Sequence, residues 1–158
     1  MPSRSRTCLL CLFLVLVAGA IFFSISFYQP TQSHTIPSRP GTLSAGQAWA
    51  LLQNGEIKVI DIRRSEEWQQ TGTPRKSLRL SFEQHPDGSQ GFLRDLELAL
   101  DGDKTKPFAI ICRTGNRTGT LLPFLHAHGF SGAMDIPEGI AGSSHGKGWL
   151  RNDLPLDR

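Results

Sequence analysis

The amino-acid sequence predicts an α/β domain with an open, mainly parallel sheet flanked by helices on both faces, preceded by an N-terminal transmembrane helix. After residue 41, short apolar runs alternate with stretches of helical periodicity, a pattern typical of parallel α/β proteins. Two runs, residues 58–62 and 108–112, are almost continuously apolar, as expected for strands covered on both faces. An uncharged segment, residues 8–28, is long enough to cross a bilayer as a helix.

Local signals predict each element of the domain in turn. The segment Ser44-Ala45-Gly46-Gln47 is a capping-box pattern that opens a short helix ending before Gly55. Ser65 can cap a second, brief helix, which Gly72-Thr73-Pro74 ends. The predicted strands are 58–62, 78–82, 108–112 and 133–136, the later helices are 92–100 and 119–128, and a turn is expected at 85–88.

The N-terminal segment divides the chain into four parts. Residues 1–7 contain Arg4 and Arg6, whereas no lysine or arginine follows the apolar segment 8–28 until Arg39. The positive-inside rule therefore places residues 1–7 in the cytoplasm and the domain on the extracytoplasmic, periplasmic side of the membrane. Small residues at 18–20 resemble a signal-peptide cleavage site, so secretion to the periplasm after cleavage is the alternative. A Pro- and Ser-containing linker is expected at 29–42 and the folded domain at 43–158.

The net charge of +3 does not indicate nucleic-acid binding. From Gly41 onward the lysines and arginines equal the aspartates and glutamates in number, so the whole excess comes from Arg4, Arg6 and Arg39. A domain that binds the phosphate backbone of a nucleic acid would carry a basic face or stripe, and the sequence shows none. No metal site is indicated either, because His126 and His128 stand two residues apart and would not share a helix face.

Cys112 is the candidate nucleophile. It ends a strand-like run and is followed by Arg113, Thr114, Gly115, Asn116, Arg117 and Thr118, after which a helix is predicted. Unpaired N–H groups at a helix start favour negative charge, and two arginines add positive charge, so the loop should favour a thiolate and hold an anion beside it. The alternative is an inert buried cysteine, since free cysteine often behaves as a small core residue. Asp61 and Arg63 follow the first strand and are candidate supporting residues, through either the loop or a structural ion pair.

Several of these segments together resemble a single-domain rhodanese, a thiosulfate sulfurtransferase-like family, over roughly residues 41–152. They are the Asp-x-Arg of 61–63, the Glu-Glu-Trp of 66–68, the loop from Cys112 to Thr118, and the Glu-Gly-Ile-Ala-Gly of 138–142. The resemblance implies a catalytic Cys112 that cycles through a persulfide, a substrate-binding loop at 113–118, and no cofactor. The sequence departs from the family pattern at Gly72-Thr73-Pro74 and around Glu138-Gly139, which affects the expected pocket rim more than the chemistry.

The expected activity is transfer of a sulfane sulfur from thiosulfate, or a similar small anionic donor, through Cys112 to cyanide or a thiol. A membrane-tethered, non-catalytic binding or redox-sensing module of the same fold is the alternative; a sensor usually has a resolving cysteine, which the domain lacks. A cysteine phosphatase is a further alternative. Phosphatases of that type resemble Cys, five residues and then Arg, whereas here Arg117 comes after four.

Overall fold

The computed structural model describes residues 41–158, and its elements follow the predicted order. The helices are α1 (Ala45–Gln53), α2 (Ser65–Thr71), α3 (Gly88–Ala99), α4 (Asn116–Ala127) and α5 (Gly148–Arg151). The strands are β1 (Lys58–Asp61), β2 (Thr73–Pro74), β3 (Leu78–Arg79), β4 (Phe108–Ile111), β5 (Ala133–Asp135) and β6 (Leu156–Asp157).

Four of the strands form one parallel sheet in the order β3-β1-β4-β5. The central pair runs in register from Lys58 beside Phe108 to Asp61 beside Ile111, and all eight of these positions except Lys58 are buried. The parallel sheet predicted from the continuous apolar runs is therefore confirmed. The carboxyl ends of its strands meet at one edge, where open α/β sheets place their binding sites.

Helices cover both faces of this sheet, as predicted. On one face, α1 and Trp149 of α5 pack against Val59, Ala109 and Ile111. On the other face, α3 and α4 pack against alternating residues of the same strands, including Ile60 and Ile110. Side chains of a strand point alternately to the two faces, so one strand supplies both apolar layers.

A two-stranded antiparallel ribbon was not predicted. Thr73 and Pro74 of β2 pair with Leu156 and Asp157 of β6, which lie more than eighty residues away in the chain. The sequence predicts only that Gly72-Thr73-Pro74 ends a helix, because a two-residue strand has no periodicity to detect.

Two helices begin earlier than the sequence indicates. Helix α3 begins at Gly88 instead of residue 92, and α4 begins at Asn116 instead of residue 119. Gly119, the first residue of the predicted helix, lies within the first turn of α4 and is exposed. The consequence is that the predicted loop at 113–118 includes the first helical turn of α4.

The start of the described chain joins the sheet edge. Thr42 forms a parallel bridge with Asp135, and the Leu43 N–H donates to the Asp135 carbonyl oxygen at 2.8 Å. No helix within residues 41–158 is long and apolar enough to span a membrane. The predicted membrane segment 8–28 lies outside the described residues.

Candidate active site

Cys112 lies directly after β4, at the carboxyl edge of the sheet, on the face covered by α3 and α4. Its carbonyl oxygen accepts a hydrogen bond from the Ile140 N–H at 2.9 Å, and the carbonyl oxygen of Arg113 accepts one from the Ala141 N–H at 2.9 Å. These two bonds hold the base of the loop against the segment that follows β5. Cys112 is only 1% exposed, so its sulfur lies at the bottom of the site.

Gly115 gives the loop its turn toward the sulfur. Its φ is +86°, and a Cβ at this position would lie 2.2 Å from the carbonyl oxygen of Pro137, so no side chain fits. In this conformation the Gly115 N–H donates a hydrogen bond to the Cys112 Sγ at 3.2 Å. A left-handed glycine at a helix start therefore delivers one backbone donor to the thiol.

The first turn of α4 contributes further donors beside the loop. The first backbone bond into this helix runs from the Gly119 N–H to the Gly115 carbonyl oxygen at 2.9 Å. The N–H groups of residues 116–118 precede this bond and belong to the unpaired first turn of a helix. Such a turn favours an anion through both its donors and the helix dipole.

Thr118 is buried beneath the same turn. Its hydroxyl oxygen is 3.8 Å from the Cys112 Sγ, and the hydroxyl donates to the Gly115 carbonyl oxygen at 2.9 Å. The side chain therefore joins the sulfur to the backbone of the loop.

Arg117 is engaged by a carboxylate. Its Nη1 and Nη2 each lie 2.7 Å from one oxygen of Glu67 in α2, and Glu83 lies 3.5 Å away. The hydrogen bond from Arg117 lowers the pKa of Glu67, and the same bond raises the pKa of Arg117. Much of the positive charge that the loop was expected to offer an anion is thus balanced within the protein.

Arg113 is the exposed loop arginine, and no ion pair engages it among residues 41–158. It lines a cleft of about 670 Å³ together with Arg117, and the remaining lining residues are Arg64, Glu66, Glu67, Glu83 and Gln84. Thr114 is half-buried and Asn116 is exposed at the start of α4. The lining contains three arginines and three glutamates, so Arg113 is the cation best placed to attract an incoming anion.

Asp61 and Arg63 form a buried ion pair instead of contacting the loop. Arg63 Nη2 donates to Asp61 Oδ2 at 2.7 Å, and Arg63 also donates to the Gly72 carbonyl oxygen at 2.6 Å and to Thr71 Oγ1 at 2.8 Å. Thr73 Oγ1 donates to Asp61 Oδ2 at 2.7 Å. The pair therefore ties β1 to the end of α2, the helix that carries Glu67. Of the two roles considered for Asp61, the structure shows the structural ion pair.

The contacts of three residues in the site region could not be predicted from the sequence. Glu67 is recognised there only as part of the Glu-Glu-Trp of 66–68, and its partner Arg117 is fifty residues away. Glu138 is buried and accepts hydrogen bonds from the N–H groups of Ala45 and Gly148, which joins α1 and α5 to the loop after β5. Asp135 is buried on β5, and the detectable signal was an acidic residue inside an apolar strand.

Comparison with known proteins agrees with this geometry. Residues 44–144, well over half of the chain, match the model of the Rhodanese-like domain. An uncharacterized protein of Rickettsia rickettsii is 32% identical over 111 residues, which cover 66% of this chain and 86% of that protein. A crystal structure of an M. tuberculosis protein is 26% identical with a TM-score of 0.58, covering 76% of this chain and 98% of the other. A rhodanese-related protein from Thermoplasma volcanium is 22% identical with a TM-score of 0.53, covering 73% and 96%. Since the matched family region includes all four strands of the main sheet and the whole cysteine loop, the chain belongs to the rhodanese-like domain family.

Proposed function

We propose that the protein is a sulfurtransferase in which Cys112 carries a sulfane sulfur from a small anionic donor to a nucleophilic acceptor. The observation that carries the proposal is the hydrogen bond of 3.2 Å from the Gly115 N–H to the Cys112 Sγ, at the start of α4. Backbone donors aimed at a sulfur stabilise it when it is negatively charged, both as a thiolate and as a persulfide.

The reaction consists of two displacements at sulfur. The Cys112 thiolate attacks the outer sulfur of thiosulfate, a new S–S bond forms, and the bond to the central sulfur breaks as sulfite leaves with the electron pair. The resulting Cys112 persulfide is then attacked at its outer sulfur by cyanide or a thiolate. The product is thiocyanate or an acceptor persulfide, and the Cys112 thiolate is restored. Covalent catalysis of this kind gives ping-pong kinetics.

The positions of the arginines support an anionic donor of small size. Arg113 is exposed in the cleft, where it attracts a thiosulfate dianion, whereas Arg117 is held by Glu67 and orients the helix start. Because Cys112 is 1% exposed, a donor must present a single small atom to its sulfur. The outer sulfur of thiosulfate meets this requirement, and a bulky donor does not.

Intact-mass measurement tests the proposal directly. The full chain is incubated with thiosulfate and separated from excess donor, and its intact mass is measured by mass spectrometry. Cys112→Ser is the matched control. We expect the wild-type chain to gain the mass of one sulfur atom, to lose it on addition of cyanide, and to form thiocyanate in the same amount. The Cys112→Ser variant should gain none. A wild-type chain that stays at its original mass would refute the sulfurtransferase assignment.

One observation favours the second candidate, a non-catalytic binding or redox-sensing module. The burial of Cys112 is also what an inert core cysteine would show. Alkylation over a range of pH separates the two, because an inert thiol stays unmodified near neutrality. The phosphatase alternative is tested with a phenyl phosphate, which the four-residue spacing between Cys112 and Arg117 should leave unhydrolysed.

A further inference from the structure

An apolar cavity of about 490 Å³ opens beside the cysteine loop, and the binding of a small anionic donor leaves it without a role. Its apolar walls come from three parts of the chain, which are Ile62 after β1, Phe82 after β3, and Leu121 and Phe124 of α4. Its volume is within the range of about 300–1,000 Å³ that is usual for small-molecule sites. The polar residues that complete the lining are Glu83, Asn116, Arg117 and Thr120.

The floor of this cavity lies beside the thiol. Ile60 pairs in register with Ile110. The Ile62 N–H donates to the Ile111 carbonyl oxygen at 3.0 Å, which continues the pairing of β1 with β4. Ile62 is therefore level with Cys112, and both side chains belong to the apolar layer under α3 and α4. Because neighbouring strands are about 4.8 Å apart, a molecule that rests on Ile62 has one end close to the sulfur.

The charged groups at the mouth of the cavity are engaged within the protein. Arg117 donates to Glu67 at 2.7 Å. Glu83 accepts a hydrogen bond from Arg64 Nε at 2.6 Å. Arg117 and Glu83 also line the polar cleft, so the two spaces adjoin at these residues. The cavity thus offers an incoming molecule an apolar surface whose bordering charges are already paired, and an uncharged group matches it best.

Two aromatic rings form one wall of the cavity. The ring centroids of Phe82 and Phe124 are 6.0 Å apart and the rings are inclined at 60°. Both side chains are only partly buried, although they pack against the core layer that contains Cys112. Accessible apolar surface next to a polar rim is typical of a ligand-binding groove. A dianionic donor gains no stabilisation from such a wall, which leaves the cavity for the second substrate.

We propose that the cavity binds the apolar body of the sulfur acceptor, and that this acceptor is a small thiol with an uncharged aryl or alkyl group. The acceptor reacts as a thiolate after its proton has passed to water. It attacks the outer sulfur of the Cys112 persulfide, a new S–S bond forms, and the bond to Sγ breaks with its electron pair remaining on Cys112. The outer sulfur stands about 2 Å beyond Sγ, so the acceptor need not reach the buried atom itself. The inference rests on the proposed function and specifies its acceptor.

Acceptor specificity tests the proposal in the full chain with thiosulfate as donor. Phenylmethanethiol and 2-mercaptoethanol are both primary thiols, but only the first has an apolar body. We expect kcat/KM for phenylmethanethiol to be higher by about tenfold or more, because burial of the phenyl ring stabilises its complex. Thr120→Phe places a ring in the cavity from an exposed position of α4 and should remove most of this preference. Ala127→Phe places the same ring on exposed α4 surface outside the lining and should retain it. Equal values for the two thiols, or a preference that Thr120→Phe leaves intact, would overturn the proposal.

Direct binding distinguishes this inference from the proposed function. Phenylmethanol has the same ring without a thiol, and its binding is followed by NMR through the backbone amides of residues 120–124. We expect saturable shifts in the wild type and in Ala127→Phe that are lost in Thr120→Phe. Such shifts in a chain that thiosulfate does not load with sulfur would refute only the proposed function. Sulfur transfer to cyanide without such shifts would refute only the acceptor site. A wild-type dimer that Thr120→Phe disrupts would assign the cavity to a second copy of the chain and also overturn the proposal.

Discussion

The ion pair between Glu67 and Arg117 should stabilise the fold by more than a surface pair does. Both N–O distances are 2.7 Å, and the side chains are 20% and 25% exposed. Hydrogen bonds to charged groups contribute about 1.5–3 kcal/mol each, and partial burial subtracts a desolvation cost. We therefore expect a coupling energy of about 2 kcal/mol, above the range of about 0.2–1 kcal/mol typical of exposed pairs.

A double-mutant cycle measures this energy. The free energy of unfolding is determined by urea denaturation for the wild type, Glu67→Gln, Arg117→Gln and the double variant. Arg117→Gln should cost more than Glu67→Gln, because it leaves the half-buried Glu67 carboxylate without its cation, whereas Arg117 retains Glu83 at 3.5 Å. A coupling of about 2 kcal/mol corresponds to about a 30-fold change in the folding equilibrium.

The control is the pair Arg94–Asp87, which has a similar distance of 2.8 Å but side chains that are 59% exposed. Its coupling should stay below about 1 kcal/mol. Should the Glu67–Arg117 coupling be no larger than that of the control, the inference that this pair fixes the loop would be wrong.

The pKa of Glu67 is lowered in the folded state, so its contribution to stability is complete above the ordinary glutamate pKa. It is lost only as the pH falls through the lowered folded value.

Three further predictions concern single positions. Gly115→Ala should abolish sulfur loading and destabilise the fold by more than about 1 kcal/mol, since its Cβ would meet the Pro137 carbonyl oxygen; unchanged urea denaturation would contradict this. Arg113→Gln should raise the KM for thiosulfate several-fold with little change in stability, because no ion pair holds it in residues 41–158, and an unchanged KM would remove its role in attracting the donor. Asp135→Asn should raise stability by about 1–3 kcal/mol at pH values above the folded pKa of Asp135, where it removes a buried charge. The folded pKa of Asp135 is raised, so the destabilisation by its charge grows as the pH rises through that value. The stability gained by Asp135→Asn should therefore vanish in acid. A gain that is independent of pH would contradict this prediction.

Local patterns in the sequence were sufficient for the main sheet and for the position of the thiol. The capping box at Ser44 forms as predicted, with the Gln47 N–H donating to the Ser44 hydroxyl and the Ser44 N–H donating to the Gln47 side chain. Strand periodicity and the order of the elements placed Cys112 at the carboxyl end of a parallel strand before a helix. These features depend on residues a few positions apart, and such interactions leave a readable signal in one chain.

The electrostatic arrangement around the sulfur was decided by contacts between distant parts of the chain. The sequence shows two loop arginines, but only folding brings Glu67 to Arg117 and leaves Arg113 exposed. Likewise, Asp135 is an ordinary acidic residue in the sequence until the sheet order sets β5 beside β4 and buries it beneath α4. The one-letter code of a charged residue does not show whether the residue is paired, buried or exposed. Its energy depends on the groups and the solvent around it, and these are set by the tertiary structure.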